Sequence, residues 1–263
     1  VDSWFRLGQS YSALGQFDQA EKAMLRATEI QSDSAPIWAA LGVVYWKNLQ
    51  SVALKKSLDW RIPKFSSKLT SGSQGDVFRR DLALAKQAFQ RSLKYQSNPR
   101  VHLFLGHLLL FQRQFQDAEK HYLSARKQAG FAVRAGLALG LLWIHQYRYR
   151  EASQVLQKVV SMLPESKRTE ATPSQVQIMA SALYSLGMAH EGMGAIEKSI
   201  VAYQRYASQV PKTRFYAEGF CRLGRLYQIQ KKYANALRVF RVCAALLPKD
   251  PSLRAVIKRL SRR

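Results

Sequence analysis

The stretch WFRLGQSYSALGQFDQAEKAMLRATEI, residues 4–30, decides the fold. Trp4, Leu7, Gly8 and Tyr11 fall on one face of a helix, Gly15 and Phe17 mark a turn, and Ala20, Met24, Ala27 and Ile30 form a second apolar face. Two helices of about 14 residues joined by a short turn make a helical hairpin. The small residues Gly8, Ala20 and Ala27 let the two backbones approach, and Trp4, Leu7 and Tyr11 fill the space beside them.

The pattern recurs along the chain. Trp38, Leu41, Gly42 and Tyr45 open a second unit that Ala85, Phe89 and Ser92 complete. Leu105, Gly106, Phe115, Ala118, Tyr122 and Ala125 make a third, and Leu139, Gly140, Trp143, Tyr149, Ala152 and Pro164 a fourth. Leu186, Gly187, Gly194, Tyr203 and Pro211 make a fifth, and Leu223, Gly224, Tyr227, Tyr233, Ala236, Phe240 and Pro248 a sixth. These residues resemble the tetratricopeptide repeat family, with its W-x2-L-G-x2-Y, A-x3-F and closing proline, over nearly the whole chain. The resemblance implies an all-α fold, a right-handed α-solenoid (superhelix) of helical hairpins. An array over 1–250 would hold repeats at about 1–34, 35–98, 99–132, 133–179, 180–216 and 217–250. Residues 251–263 would form a basic amphipathic capping helix, with an apolar stripe of Leu253, Val256, Ile257 and Leu260 covering the array's open end.

Two repeats are too long. The second carries a basic insertion near 47–80, where eight Lys and Arg stand against three Asp between Lys47 and Asp81. The first helix is expected to run to about Leu58, a loop over Asp59–Gly75 to hold Trp60, Ile62 and Phe65, and Asp76 to cap the next helix, which ends near Gln96. The fourth repeat has a long linker around Glu165–Thr172, and Thr172-Pro173-Ser174-Gln175 is a helix start with Thr at the cap, Pro at the first position and Gln at the third.

Catalytic and cofactor signatures are missing from the sequence. No Walker-type loop, nucleophile elbow or HExxH is present, and the five histidines, at 102, 107, 121, 145 and 190, show no i, i+4 pair. The reading is therefore a binding protein rather than an enzyme, with no cofactor and no metal. Cys243 takes a small-residue position of the last repeat and reads as core packing; with Cys221 it makes two cysteines, too few for a disulfide scaffold. No apolar run is long enough for a membrane span, the longest being Ala135 to Ile144. A cytoplasmic setting is favoured, and the start at Val1 rather than Met suggests a fragment or processed product with room for a signal or further domain upstream.

The family pattern assigns repeat positions 2, 5, 9, 12 and 13 to the inner face. Repeat 1 then contributes Asp2, Phe5, Gln9, Ser12 and Ala13, and repeat 2 Pro36, Ala39, Val43, Trp46 and Lys47. The partner-binding groove implied by the resemblance centres on Trp46, then Leu103, His107, Leu110 and Phe111 of repeat 3. It continues through Leu137, Leu141 and Ile144 of repeat 4, Tyr184 and Met188 of repeat 5, and Arg225 of repeat 6. Its apolar, aromatic character suits an amphipathic helix or extended apolar peptide. The Lys and Asn with which some family members clamp acidic tails are replaced by Phe5 and Gln9.

The chain has 263 residues with 41 Lys and Arg against 17 Asp and Glu, a formal charge of +24, and 47% hydrophobic residues, which favours a folded protein with an anionic partner. The charge is graded. Residues 1–46 hold three cations and five acids, whereas residues 201–263 hold 15 and two. A basic docking face is expected at Arg222, Lys231, Lys232, Arg238, Arg241, Arg254, Lys258 and Arg259. The leading expectation is a scaffold that binds a peptide or helix of a protein partner in the groove while the basic C-terminal half docks an acidic partner or surface. Binding of RNA or DNA by the outer face, or of anionic lipid by a peripheral adaptor, are the alternatives.

Overall fold

A computed structural model describes residues 1–55, 73–163, 172–213 and 216–262. All regular structure among them is helical, and the chain divides into two compact units, Val1–Ala135 and Gly136–Arg263. In the first unit the helices are α1 (Asp2–Ala13), α2 (Phe17–Ile30), α3 (Ala35–Lys55), α4 (Ser73–Tyr95), α5 (Pro99–Phe111) and α6 (Phe115–Arg126). Helix α7 (Ala129–His145) crosses the boundary. The second unit continues with α8 (Tyr149–Met162), α9 (Pro173–Gly192), α10 (Ile196–Gln209), α11 (Ala217–Ile229), α12 (Tyr233–Leu246) and α13 (Pro251–Leu260). The part of the insertion that holds Trp60, Ile62 and Phe65, and most of the linker that holds Pro164, lie outside the described residues.

Each hairpin is fastened at the same point. Gly106 of α5 faces the ring of Tyr122 on α6 so closely that an added Cβ would lie 2.5 Å from Cε1, so only glycine allows the buried tyrosine to seat there. Gly8 meets Met24, Gly140 meets Leu156, Gly187 meets Tyr203 and Gly224 meets Phe240 in the same way, and Gly42 meets Phe89 across the insertion. The turns are equally regular. A residue with positive φ ends the first helix at Gly15, Arg113, Tyr147, Gly194 and Lys231. The following backbone N–H bonds back five residues, from Gln16 to Tyr11, Gln114 to Leu109, Arg148 to Trp143, Ala195 to His190 and Lys232 to Tyr227. This is a Schellman closure, which satisfies the last carbonyls of the first helix.

Between hairpins the helix starts are capped by side chains. Asn98, Thr172 and Asp250 each accept a backbone N–H and each precedes a proline. Thr172 and Gln175 complete a reciprocal capping box. Helix α4 begins at Ser73, inside the expected loop, so Asp76 lies within its first turn and pairs with Arg79 rather than capping the helix. Helix α13 packs on α12 with Leu253 and Leu260 buried.

A charged side chain is drawn inward in each unit. In the first, Asp81 of α4 is 1% exposed and accepts from Asn48 Nδ2 at 2.6 Å and from Arg80 Nη2 at 2.8 Å. Tyr45 Oη donates to Glu21 at 2.8 Å beside it, tying α2 to α3. In the second unit Arg222 of α11 bonds to α9 and to its own helix, as described below. Cys243 is fully buried in the core, as expected, and is paired there with Cys221 in a disulfide with the Cα atoms 5.5 Å apart.

Candidate functional site

In the first unit the first helices α1, α3 and α5 frame a trough of about 450 Å³. Phe5, Gln9 and Ser12 form one wall, Pro36, Ala39, Val43 and Lys47 the centre, and Arg100, Val101 and Phe104 the far wall, with Met24 of α2 at the base. Lys47 Nζ is held by the backbone oxygen and hydroxyl of Ser12 at 3.3 and 3.2 Å. The Arg100 guanidinium sits 5.6 Å from the centre of the Phe104 ring and its residue is exposed. The trough is thus an apolar strip between two cations, one anchored and one at the rim.

Of the residues that the family pattern nominates in this unit, Trp46, Leu103, Leu110 and Phe111 are buried. Trp46 stacks against Phe104 at 4.9 Å and His107 at 5.7 Å, and Phe111 against Phe78 at 5.3 Å. Their bulk closes the joint between successive hairpins, which removes them from a surface groove. His107 is half-buried, hydrogen-bonded to Tyr122 Oη at 2.8 Å. In the second unit Ile144 is buried, Leu137, Leu141, Tyr184 and Met188 are half-buried, and Arg225 is exposed.

Arg222 does not stand on a basic outer face. Its Nε donates to Tyr184 Oη at 3.0 Å and to Glu218 at 3.3 Å, and its Nη1 donates to Glu191 at 3.1 Å. All three partners lie on first helices, so the cation is neutralised there. Burial and the nearby Glu218 charge raise the Tyr184 hydroxyl above the usual tyrosine range, so it stays protonated beside the arginine. Lys231, Lys232, Arg238, Arg241, Arg254, Lys258 and Arg259 are exposed, and Arg254 also donates to the Pro248 carbonyl at 2.7 Å.

The structure brings together two histidines that share no sequence spacing motif. His102 Nδ1 and His121 Nδ1 are 2.8 Å apart, and burial pushes both imidazoles below the usual histidine range. One neutral ring donates to the other. Among the described residues no group of three or more His, Cys, Asp or Glu is placed to hold a metal ion.

Family models described as Tetratricopeptide repeat match residues 1–34, 103–167 and 181–213. The chain belongs to the tetratricopeptide repeat (TPR) family. No curated protein matches it in sequence. Among solved structures, pilF of Pseudomonas aeruginosa is similar with a TM-score of 0.64 and 17% identity, over 99% of this chain and 96% of that one. MamA is similar with a TM-score of 0.57 and 14% identity, over 79% and 90%. YrrB, described as a TPR protein with an unusual peptide-binding site, has a TM-score of 0.57 and 15% identity, over 91% and 99%. At such identities the likeness establishes the TPR fold alone. That fold is typical of protein–protein interaction scaffolds, and no helix among the described residues is long and apolar enough to cross a membrane.

Proposed function

We propose that this TPR protein is a non-enzymatic interaction scaffold that holds a peptide segment of a partner protein against the first helices of its hairpins. The observation that carries this reading is the trough of about 450 Å³ in the first unit, lined by Phe5, Val43 and Phe104 between Lys47 and Arg100. An extended apolar segment fits its strip, and a carboxylate at one end would pair with Arg100. In the second unit Leu137, Leu141 and Met188 offer a further apolar surface on first helices, and Arg225 a cation. The exposed cations of α12, α13 and the turn before α12 suit an acidic partner or surface.

Selection of peptides from a displayed random library on the full chain tests the reading. Peptides that bind are expected to carry apolar residues beside an acid and to lose at least tenfold in affinity on Val43→Glu, with the fold verified by circular dichroism. Binders that all tolerate Val43→Glu and Arg100→Glu would overturn the assignment of this trough.

A further inference from the structure

We propose that the trough between α8 and α10, floored by α9, is a docking site for an acidic amphipathic helix of a partner protein. This inference rests on the reading of the protein as a scaffold and adds a second site, walled by the second helices α8 and α10.

The trough has a volume of about 700 Å³, within the range of sites that bury ligands. Its floor is Leu183 and Leu186, its walls are Val160 of α8 and Val201 of α10, and Glu197, Lys198 and Arg205 stand along the α10 side, with Glu197 turned to Gln230 Nε2 at 3.0 Å. Of the aliphatic side chains that line the trough, Val201 is 55% exposed and Leu163 half-buried. An aliphatic side chain open to water on the wall of a concave strip marks a surface that gains by being covered. His190 also borders the trough, and its Nδ1 is buried without a hydrogen-bond partner among the described residues. A groove bounded by two helices and floored by a third fits a helix that presents apolar residues at i, i+3, i+4 and i+7.

Charge selects the sign of that helix. Every described acid of the second unit already has a partner within the chain. Glu151 pairs with Arg148, Glu191 and Glu218 with Arg222, Glu197 accepts from Gln230, and Asp250 caps α13. Among the described residues none forms an ion pair with Lys198. The next trough, about 450 Å³ between α10 and α12, repeats the design with Lys212 and Arg238 beside Leu223 and Val239. Acidic residues flanking the partner's apolar ridge would meet Lys198, while the ridge itself would cover Leu183, Leu186 and Val201, which a phosphate chain would leave bare.

The test uses the full chain and a fluorescein-labelled synthetic 18-residue peptide, with Leu on one helical face and Glu flanking it. A peptide of the same composition with scrambled order is the control. Fluorescence polarisation is expected to show binding of the amphipathic peptide, at least tenfold weaker binding of the scrambled one, and a several-fold loss between 50 and 300 mM NaCl. Val201→Glu should cut affinity at least tenfold, Lys198→Glu about fivefold, and Val43→Glu not at all. Val201→Ala, which leaves packing and charge pattern intact, should cost about threefold, so a misfolded Val201→Glu protein would not decide the matter. Equal binding of the scrambled peptide, no binding, or indifference to both Val201 variants would overturn the inference. Loss on Val43→Glu alone would move the helix to the first unit's trough, overturning this site while leaving the scaffold reading in place. Single-stranded RNA that displaces the peptide and depends on Lys198 but not on Val201 would also overturn it.

Discussion

The two units bury charge in opposite ways. The first encloses an acid, Asp81, and surrounds it with Asn48 and Arg80. The second half-buries a cation, Arg222, and draws Glu191 and Glu218 to it. The supply of acids makes this difference matter. Residues 1–135 hold 20 Lys and Arg against 10 Asp and Glu, and residues 136–263 hold 21 against 7. The numbers of cations are nearly equal, so what distinguishes the surfaces is where the carboxylates go. In the second unit the few acids described are all engaged within the chain, and Lys198 of α10 and the cations of α12 and α13 are exposed. Net charge alone does not reveal this.

The largest effect is expected at Asp81. Asp81→Ala leaves the Asn48 amide without its acceptor, while the half-exposed Arg80 keeps Glu21 and water, and is expected to cost about 2–3 kcal/mol, read as a lower urea midpoint. A loss below about 1 kcal/mol would mean that the carboxylate contributes no more than a surface group. Arg222→Met should cost less, about 1–2 kcal/mol, because the side chain is 28% exposed and water takes over part of its role. It also releases Glu191 and Glu218, so binding of an acidic peptide to the second unit should weaken with it; unchanged binding would separate the internal cluster from the surface field. The smallest effect checks where the units agree. Arg113→Gly and Lys231→Gly each relieve a left-handed residue in a turn of the same form, and both should raise stability by about 0.5–1 kcal/mol, read from the same urea midpoint. A gain in one unit only would show that the two turns are not equivalent.

Much of the fold is legible in the spacing of glycine and aromatic residues, because each lock needs a small residue on one helix and a large one on the next. Gly106 with Tyr122 and Gly187 with Tyr203 stand in the amino-acid sequence at the same separation, which marks them as equivalent pairs. The sequence reading misses the disulfide, since two cysteines look too few for a scaffold, although the register contains it. The antiparallel pairing that sets Gly224 against Phe240 carries Cys221, three residues earlier, to Cys243, three residues later. The groove is harder. An apolar residue at an inner-face position reads alike whether it meets solvent or the next hairpin, so periodicity does not separate Trp46 and Leu110 from Phe5 and Val43. Arg222 is misplaced by the sequence reading for a related reason, since its partners Tyr184 and Glu191 sit 38 and 31 residues earlier on another helix. The pair His102 and His121 and the trough beside Val201 depend on how neighbouring helices lean, which no periodicity encodes.

The glycine locks also set an order of events. In five hairpins the locked residues are 16 apart in the chain, but Gly42 and Phe89 are 47 apart. Closing the longer loop costs about 1 kcal/mol more in chain entropy, a several-fold slower encounter of its ends. In a refolding full-length chain the hairpin of α3 and α4 is therefore the slowest of the six to close. Until it does, Gly42 lacks its cover and the stack of Phe89 on Phe104, which ties this hairpin to α5, is not made.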